Sequence, residues 1–250
     1  MTTPPYAGRS TPSLDLLGGI AEALGPLVDR VVFIGGAIAP LLQTHPISPR
    51  VRPTKDVDGV ALTGTYSEFD ALQADLRQRG FRQLAQDADA TGHAHRWTTP
   101  AGGLFDLVPA GTYLGGSGNP LDQAAVDTAV SIMLTGPRGT AIIIRHADAP
   151  TFGALKWAAF EDRGGGDLFA SHDIEDILAV VASRSSLPEE CVQAPSLVRT
   201  AVSQMAGTLL KDEDAVSELL HAHVVVSRGH DAMAVHRQVH ERLRRLVVPA

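Results

Sequence analysis

Asp56 and Asp58 are the first feature of this sequence that could carry chemistry. They are separated by a single residue in the segment Thr54-Lys55-Asp56-Val57-Asp58. On a strand, side chains alternate between the two faces, so Asp56 and Asp58 would share a face while Val57 points to the core. Their α-carbons would lie roughly 6.5 Å apart. At that distance two unit charges repel by about 2.5 kcal/mol at an effective dielectric constant of about 20. A divalent cation would reverse the sign of that energy, and oxygen ligands favour Mg²⁺ or Mn²⁺. The alternative is a strand end where both carboxylates meet water.

A pair of glycines, Gly35 and Gly36, ends the apolar run 31–34. Glycine lets the backbone approach a phosphate group closely, and a following helix would offer free N–H donors at its N-terminus. The sequence therefore predicts a phosphate-binding turn here, with a simple tight turn as the alternative.

A third acid, Asp106, lies at the centre of the apolar segment 104–108. A charge on such a strand needs a partner, and a metal site shared with Asp56 and Asp58 would supply one. A lone salt bridge, or exposure at a sheet edge, would also satisfy Asp106, and both interpretations stay open.

The second half of the chain carries a smaller set of charged residues. Lys156 lies on an alanine-rich helix, and Asp173 and Asp176 share a face at the start of the next helix. The plain interpretations are a solvated lysine and a first-turn acid stabilised by the helix dipole. Arg163 could pair with Asp173 or Asp176 and tie two helices together.

Composition limits the class of protein. The 250 residues are 44% hydrophobic and 20% charged, which is typical of a globular chain with a sizeable core. A net charge of −7 disfavours polyanionic partners on average, although Arg237, Arg242, Arg244 and Arg245 give the last helix either a solvated face or a basic patch. The single Cys191 excludes an intramolecular disulfide and a cysteine zinc cluster. With no signal segment and no apolar span, we expect a cytoplasmic protein without a membrane partner.

Periodicity and turn residues predict the elements that must position these side chains. Helices are predicted over 13–24, 37–43, 67–79, 122–134, 151–162, 171–184, 195–209, 212–222 and 230–246. Strands are predicted over 31–34, 57–62, 81–84, 93–98, 104–108 and 140–145, with loops at 44–54 and 115–120. The pattern is wholly helical after Pro150, so we predict two domains, 1–150 and 151–250.

Three of these segments together resemble the nucleotidyltransferase superfamily: Phe-Ile-Gly-Gly-Ala at 33–37, Arg-Pro-Thr-Lys-Asp-Val-Asp at 52–58 and Phe-Asp-Leu-Val-Pro at 105–109. The segment from Lys156 to Asp176 resembles the K-x-x-A…R…D-x-x-D pattern of the AbiEii toxin-type, or minimal, branch. The resemblance implies an α+β fold, with a mixed sheet flanked by helices and followed by a helical C-terminal domain that completes the active site. It also implies NTP as substrate, Mg²⁺ or Mn²⁺ as cofactor, and an antitoxin as a partner.

The resemblance also implies roles for individual residues. Gly35 and Gly36 would hold the triphosphate, while Asp56, Asp58 and Asp106 would bind two metal ions. Asp106 would also act as general base. Lys156 would be the phosphate ligand, offsetting charge on the leaving pyrophosphate, with Asp173 and Asp176 in support of nucleotide binding.

Two alternatives remain open: whether the protein is catalytic, and which class of acceptor it would use. Many members of the superfamily have serine where this chain has Gly36, so a non-catalytic protein that binds nucleotide or a partner on the same fold is the main rival. The acceptor could be RNA such as tRNA, a protein or a small molecule. The His172-Asp173 dipeptide also occurs in HD-class phosphohydrolases, but the strand-rich first half argues against their all-helical scaffold.

Overall fold

The computed structural model describes residues 11–44, 52–84, 95–110, 119–163, 166–226 and 231–247. Most of the predicted loop at 44–54, residues 115–118 of the predicted loop at 115–120, and the first two residues of the strand predicted at 93–98 lie outside these ranges. The described residues form two compact units. We name them the sheet unit, within 11–38 and 53–148, and the helical unit, within 39–52 and 149–247. The division into domains at residue 150 stays a prediction.

Seven strands of the described residues form one mixed sheet in the order β3-β4-β5-β2-β1-β7-β6. The strands are β1 (Val31–Ile34), β2 (Asp56–Ala61), β3 (Arg82–Gln83), β4 (His95–Thr98), β5 (Leu104–Pro109), β6 (Val130–Thr135) and β7 (Ala141–His146). The pairs β2–β5 and β1–β7 are parallel, and the other neighbours are antiparallel. This arrangement confirms the predicted α+β class with a mixed sheet.

The helices follow the apolar periodicity of the sequence. They are α1 (Pro12–Leu24), α2 (Ala39–Leu42), α3 (Tyr66–Gln78), α4 (Pro120–Asp127), α5 (Ala149–Asp162), α6 (His172–Ser183), α7 (Leu187–Gln193), α8 (Ser196–Leu209), α9 (Glu213–His223) and α10 (Ala232–Leu246). Helix α3 shows how local chemistry sets the bounds. Thr65 and Glu68 form a reciprocal capping box at its start, and Gly80, with φ of +85°, turns the chain at its end.

The helix predicted over 122–134 is wrong in its second half. Helix α4 ends at Asp127, and Val130–Thr135 forms β6, antiparallel to β7. Ile132 is buried, whereas the side chain of its neighbour Met133 is 66% exposed. This alternation has the period of a strand, and pairing with β7 satisfies the backbone groups that a continued helix would have paired internally. The short helix α7 was not predicted.

The helical unit packs α5 against α6 and α8, with α10 lying on α6 and α8. Two arginines of α10 serve this packing. Arg242 donates to the carbonyl oxygens of Val181 and Ala182 in the last turn of α6, and Arg245 pairs with Glu189. Part of the basic face of the last helix is therefore engaged within the chain.

We expect Arg242→Ala to lower the free energy of unfolding by about 2 kcal/mol, because two carbonyl oxygens at a helix end lose a charged donor. Arg237→Ala, on the exposed face of the same helix, should change it by less than about 0.5 kcal/mol. Urea denaturation of the two variants measures this difference. Equal effects would contradict a structural role for Arg242.

Candidate active site

The pairing of β2 with β5 brings the predicted acids into one place. Asp58 on β2 is paired with Asp106 on the parallel strand β5, and Asp56 lies two residues before Asp58 on the same face. Asp56, Asp58 and Asp106, which we name the acid row, are each partly exposed, whereas Val57 and Phe105 between them are fully buried. The predicted sharing of a face by Asp56 and Asp58 is confirmed, and Asp106 joins them.

A rigid apolar layer lies beneath the acid row. Phe105 contacts the rings of Phe33 on β1 and Phe81, with ring centroids 6.5 and 6.3 Å apart. Trp97 on β4 is also fully buried. Close packing of large side chains on one face fixes the strands, and this fixes the positions of the carboxylates on the opposite face.

The glycine turn is in direct contact with the acid row. Gly35 has φ of +72°, a left-handed conformation that favours glycine. A β-carbon at Gly35 would overlap Oδ2 of Asp58, so the carboxylate occupies the space that any other residue would fill. Gly36 begins a short 3₁₀ helix, Gly36–Ile38. The phosphate-binding role of Gly35 and Gly36 stays a prediction, but the need for glycine at position 35 is a finding.

Arg96, which the sequence analysis did not single out, lies among the acids. Its Nε and Nη2 atoms donate to the two carboxylate oxygens of Asp106 at 2.7 and 2.5 Å, and Nη2 also lies 3.3 Å from Oδ2 of Asp56. The hydrogen bonds to Asp106, together with the charges of all three acids, raise the pKa of Arg96 against the opposing effect of burial. The salt bridge that was one interpretation of Asp106 is therefore present.

The other oxygen of Asp56 also has a protein partner. Oδ1 of Asp56 accepts a hydrogen bond from the Thr54 hydroxyl at 3.0 Å, and the Thr54 amide donates to Ser13. Thr54 lies just before β2, which begins at Asp56, so this bond is local in sequence. It fixes the rotamer of Asp56.

The donor chemistry of the acid row suits a hard divalent cation, because three carboxylates lie on one face of two neighbouring strands. Arg96 already supplies a positive charge to two of them. Within the described ranges, no group of three or more histidine, cysteine, aspartate or glutamate side chains is arranged so that it could hold a metal ion. The carboxylates match Mg²⁺ or Mn²⁺ in ligand type, but two of them contact Arg96, so metal binding would require that contact to change.

The helical unit holds the other predicted site residues in a buried ionic group. The ammonium of Lys156 on α5 lies 3.1 Å from Oδ1 of Asp173 and 2.7 Å from Oδ2 of Asp176, both on α6. The side chains of these three residues are only 13%, 5% and 2% exposed. We name Lys156, Asp173, Asp176 and Arg163 the lysine cluster. Burial alone would lower the pKa of Lys156, but the charges of Asp176 and Asp173 outweigh it and raise that pKa above its ordinary value.

Arg163 completes the cluster at its exposed end. Its guanidinium pairs with Oδ2 of Asp173, which confirms the predicted tie between the two helices. A cleft of about 260 Å³ borders this pair and is lined also by Phe160, Ser171 and His172. Asp173 thus links the buried lysine to a surface cleft of the helical unit.

Comparison with known proteins gives only distant similarities. No protein-family profile and no curated protein matches the sequence. An antigenic nucleotidyltransferase-like protein from Paracoccidioides brasiliensis is similar in structure, with a TM-score of 0.48 and 22% identity over 85% of this chain and 94% of that chain. JHP933 from Helicobacter pylori has a TM-score of 0.45 and 11% identity, over 95% and 93% of the two chains. A candidate nucleotidyltransferase from H. pylori has a TM-score of 0.43 and 10% identity, over 96% of each chain.

In the described residues, no helix is both long and apolar enough to cross a membrane.

Proposed function

We propose that this chain is a metal-dependent nucleotidyltransferase that transfers a nucleoside monophosphate from an NTP to an acceptor and releases pyrophosphate. The observation that carries the proposal is the acid row. Three carboxylates share one face of two parallel strands, and one of them packs against a positive-φ glycine turn. Repelling charges held together on a rigid sheet are costly to fold, and a divalent cation would offset that cost.

In this proposal Asp56, Asp58 and Asp106 would hold Mg²⁺ or Mn²⁺, which when bound offsets charge on the attacking and leaving oxygens. Asp106 would accept the proton of the acceptor hydroxyl as that oxygen bonds to the α-phosphorus. The bond from the α-phosphorus to the bridging oxygen breaks, and pyrophosphate carries away the electron pair. Backbone at Gly35 and Gly36 would bind the triphosphate.

The proposed role of the helical unit is to neutralise phosphate. Lys156 would supply the positive charge, and Asp173 and Asp176 would fix the position of its ammonium by their contacts at 3.1 and 2.7 Å. Because Asp173 and Asp176 partly neutralise the positive charge of Lys156, the cluster would attract an anion less strongly than a free lysine. Membership of the AbiEii-type branch and pairing with an antitoxin rest on this segment and stay predictions, as do the cytoplasmic location and the catalytic role of each residue.

For the acceptor we favour a small molecule over RNA. The net charge is −7, and two arginines of the basic last helix, Arg242 and Arg245, are engaged by α6 and Glu189. Incubating the protein with α-labelled NTPs and either total RNA or a panel of small hydroxyl compounds separates the two classes. Label that migrates with RNA would reverse this preference.

We expect Asp58→Asn to lower NTP turnover with Mg²⁺ by at least about 100-fold, equivalent to roughly 2.7 kcal/mol of transition-state stabilisation. The variant keeps the size of the side chain and removes its charge. Asp127→Asn, at an exposed position at the end of α4, is the matched control and should keep wild-type turnover. Pyrophosphate release measures both. Equal turnover in the two variants would rule out the proposed site.

A non-catalytic protein on the same fold is the second candidate. The bidentate contact of Arg96 with Asp106 favours it, because those oxygens are already occupied. This candidate predicts NTP binding by isothermal titration with no labelled product for any acceptor. Turnover that depends on Asp58 would exclude it.

A further inference from the structure

Arg96 has a position in the sheet that the proposed chemistry does not use. It is paired with Asp106 across β4 and β5, and Asp106 is paired with Asp58 across β5 and β2. The three residues therefore form one cross-strand row over three adjacent strands, with side chains on one face. Its neighbour Trp97 is fully buried on the opposite face, so the backbone of Arg96 is held in place from beneath.

The contacts of Arg96 occupy the oxygen atoms that a metal ion would use. Two donors of the guanidinium take both oxygens of Asp106, and one of these donors also lies against Asp56. A planar guanidinium matches a carboxylate in this bidentate geometry, which a lysine could not reproduce. Asp106 is only 12% exposed on its side chain, whereas Arg96 is 47% exposed. The acid is fixed, and the arginine has solvent into which it could withdraw.

We propose that Arg96 is a built-in counter-cation that competes with a divalent metal ion for Asp106 and Asp56, so that metal binding requires displacement of its guanidinium. The inference rests on the metal site of the proposed function and deepens it. An arginine stays charged throughout the physiological range, so displacement has to come from competition and not from loss of its proton. The displaced arginine would admit a second ion to Asp106.

Mn²⁺ binding without nucleotide tests the competition directly. Free Mn²⁺ is followed by electron paramagnetic resonance in wild type, Arg96→Gln and Arg82→Gln. Arg82 on β3 lies on the same face and is exposed, and its side chain makes no contact with the acid row in the described residues, so its replacement removes the same charge without breaking one. We expect Arg96→Gln to bind Mn²⁺ at least about tenfold more tightly than wild type, a change of roughly 1.4 kcal/mol. Arg82→Gln should stay within about twofold of wild type.

Two further measurements keep the inference testable if Arg96→Gln folds poorly. Arg96→Lys keeps the charge but loses the bidentate geometry, so its Mn²⁺ affinity should fall between those of wild type and Arg96→Gln. In unmodified protein, the Nε–H resonance of Arg96 should shift as Mg²⁺ is added, because its hydrogen bond to Asp106 is broken.

The outcomes separate the inference from the proposed function. Equal Mn²⁺ affinity in Arg96→Gln and Arg82→Gln, alongside Asp58-dependent turnover, would overturn the competition and leave the function standing. Tighter binding by Arg96→Gln without turnover in any protein would support the competition and reject the function. An Arg96 Nε–H resonance that does not move while Mg²⁺ binds would overturn the inference, and absence of Mn²⁺ binding in every variant would overturn both.

Discussion

Replacing Gly35 with alanine is expected to lower the free energy of unfolding by about 3 kcal/mol. Two effects contribute to this number. An L-residue in the left-handed conformation costs about 1–2 kcal/mol, and forcing a methyl group into filled space costs about 1–3 kcal/mol. The φ of +72° at Gly35 causes the first, and the overlap of the new methyl group with Oδ2 of Asp58 causes the second. Metal affinity should fall as well, because Asp58 is pushed from its place.

Two other glycines serve as controls that separate the cost of the overlap with Asp58 from the cost of backbone conformation. Gly102 and Gly139 have φ of +86° and +78°, and a β-carbon at either would meet nothing within 4 Å. Each alanine variant should therefore cost only about 1–2 kcal/mol, from backbone conformation alone. Urea denaturation followed by Trp97 fluorescence in a Trp157→Phe background reports on the sheet unit, since these are the two tryptophans of the chain.

A double substitution tests whether the cost of Gly35→Ala comes from its contact with Asp58. Gly35→Ala combined with Asp58→Ala removes the oxygen that the methyl group meets, so the pair should be less destabilising than the sum of the single changes by about 1–2 kcal/mol. A cost at Gly35 equal to that at Gly102, or strict additivity with Asp58→Ala, would show that the carboxylate does not approach the turn.

The acid row was predictable because it depends on local alternation. The sequence Asp56-Val57-Asp58 specifies which side chains share a face, and Phe105-Asp106-Leu107 does the same on its strand. The pairing of β2 with β5 then places Asp106 on the same face of the sheet as Asp56 and Asp58. Arg96 could not be found in this way, because its contact with Asp106 depends on the register of β4 against β5, which the sequence alone leaves open.

The other features that the sequence could not predict depend on packing between helices and on pairing between strands. Lys156 and Asp176 lie twenty residues apart, and only the contact of α5 with α6 makes the lysine a buried partner of two acids. A helix was predicted over 122–134, but pairing with β7 makes 130–135 a strand. The pairing of Arg163 with an acid of α6 was predicted correctly, since Arg163 follows α5 and contacts Asp173 on α6.

The acid row and the lysine cluster represent two different uses of charge. In the sheet unit, three carboxylates are partly exposed, and the Arg96 guanidinium contacts Asp56 and Asp106. In the helical unit, two acids face Lys156 and Arg163, and the charges balance within the protein. An accessible group of like charges is the better candidate for binding an ion, whereas a balanced, buried group is the better candidate for stability.

Lys156→Met should therefore destabilise the protein by about 3–5 kcal/mol, since it leaves Asp173 and Asp176 buried without their shared cation. Lys211→Met, at an exposed position beyond α8, is the matched control and should change stability by less than about 0.5 kcal/mol. Thermal unfolding followed by circular dichroism of the helices measures both. Adding Asp173→Asn and Asp176→Asn to Lys156→Met should recover most of the loss, because no buried charge then lacks a partner.

The pH dependence of Lys156→Met separates a structural lysine from a phosphate ligand. The pKa of Lys156 is raised in the folded protein above its ordinary value of 10.5. Folding therefore favours the protonated form, and the stabilisation is fully present below about pH 10.5 and is lost as the pH rises through the higher folded pKa. The advantage of wild type over Lys156→Met should accordingly shrink as the pH rises above about 10.5. A variant that is as stable as wild type but binds NTP weakly would instead establish Lys156 as a phosphate ligand without a structural role.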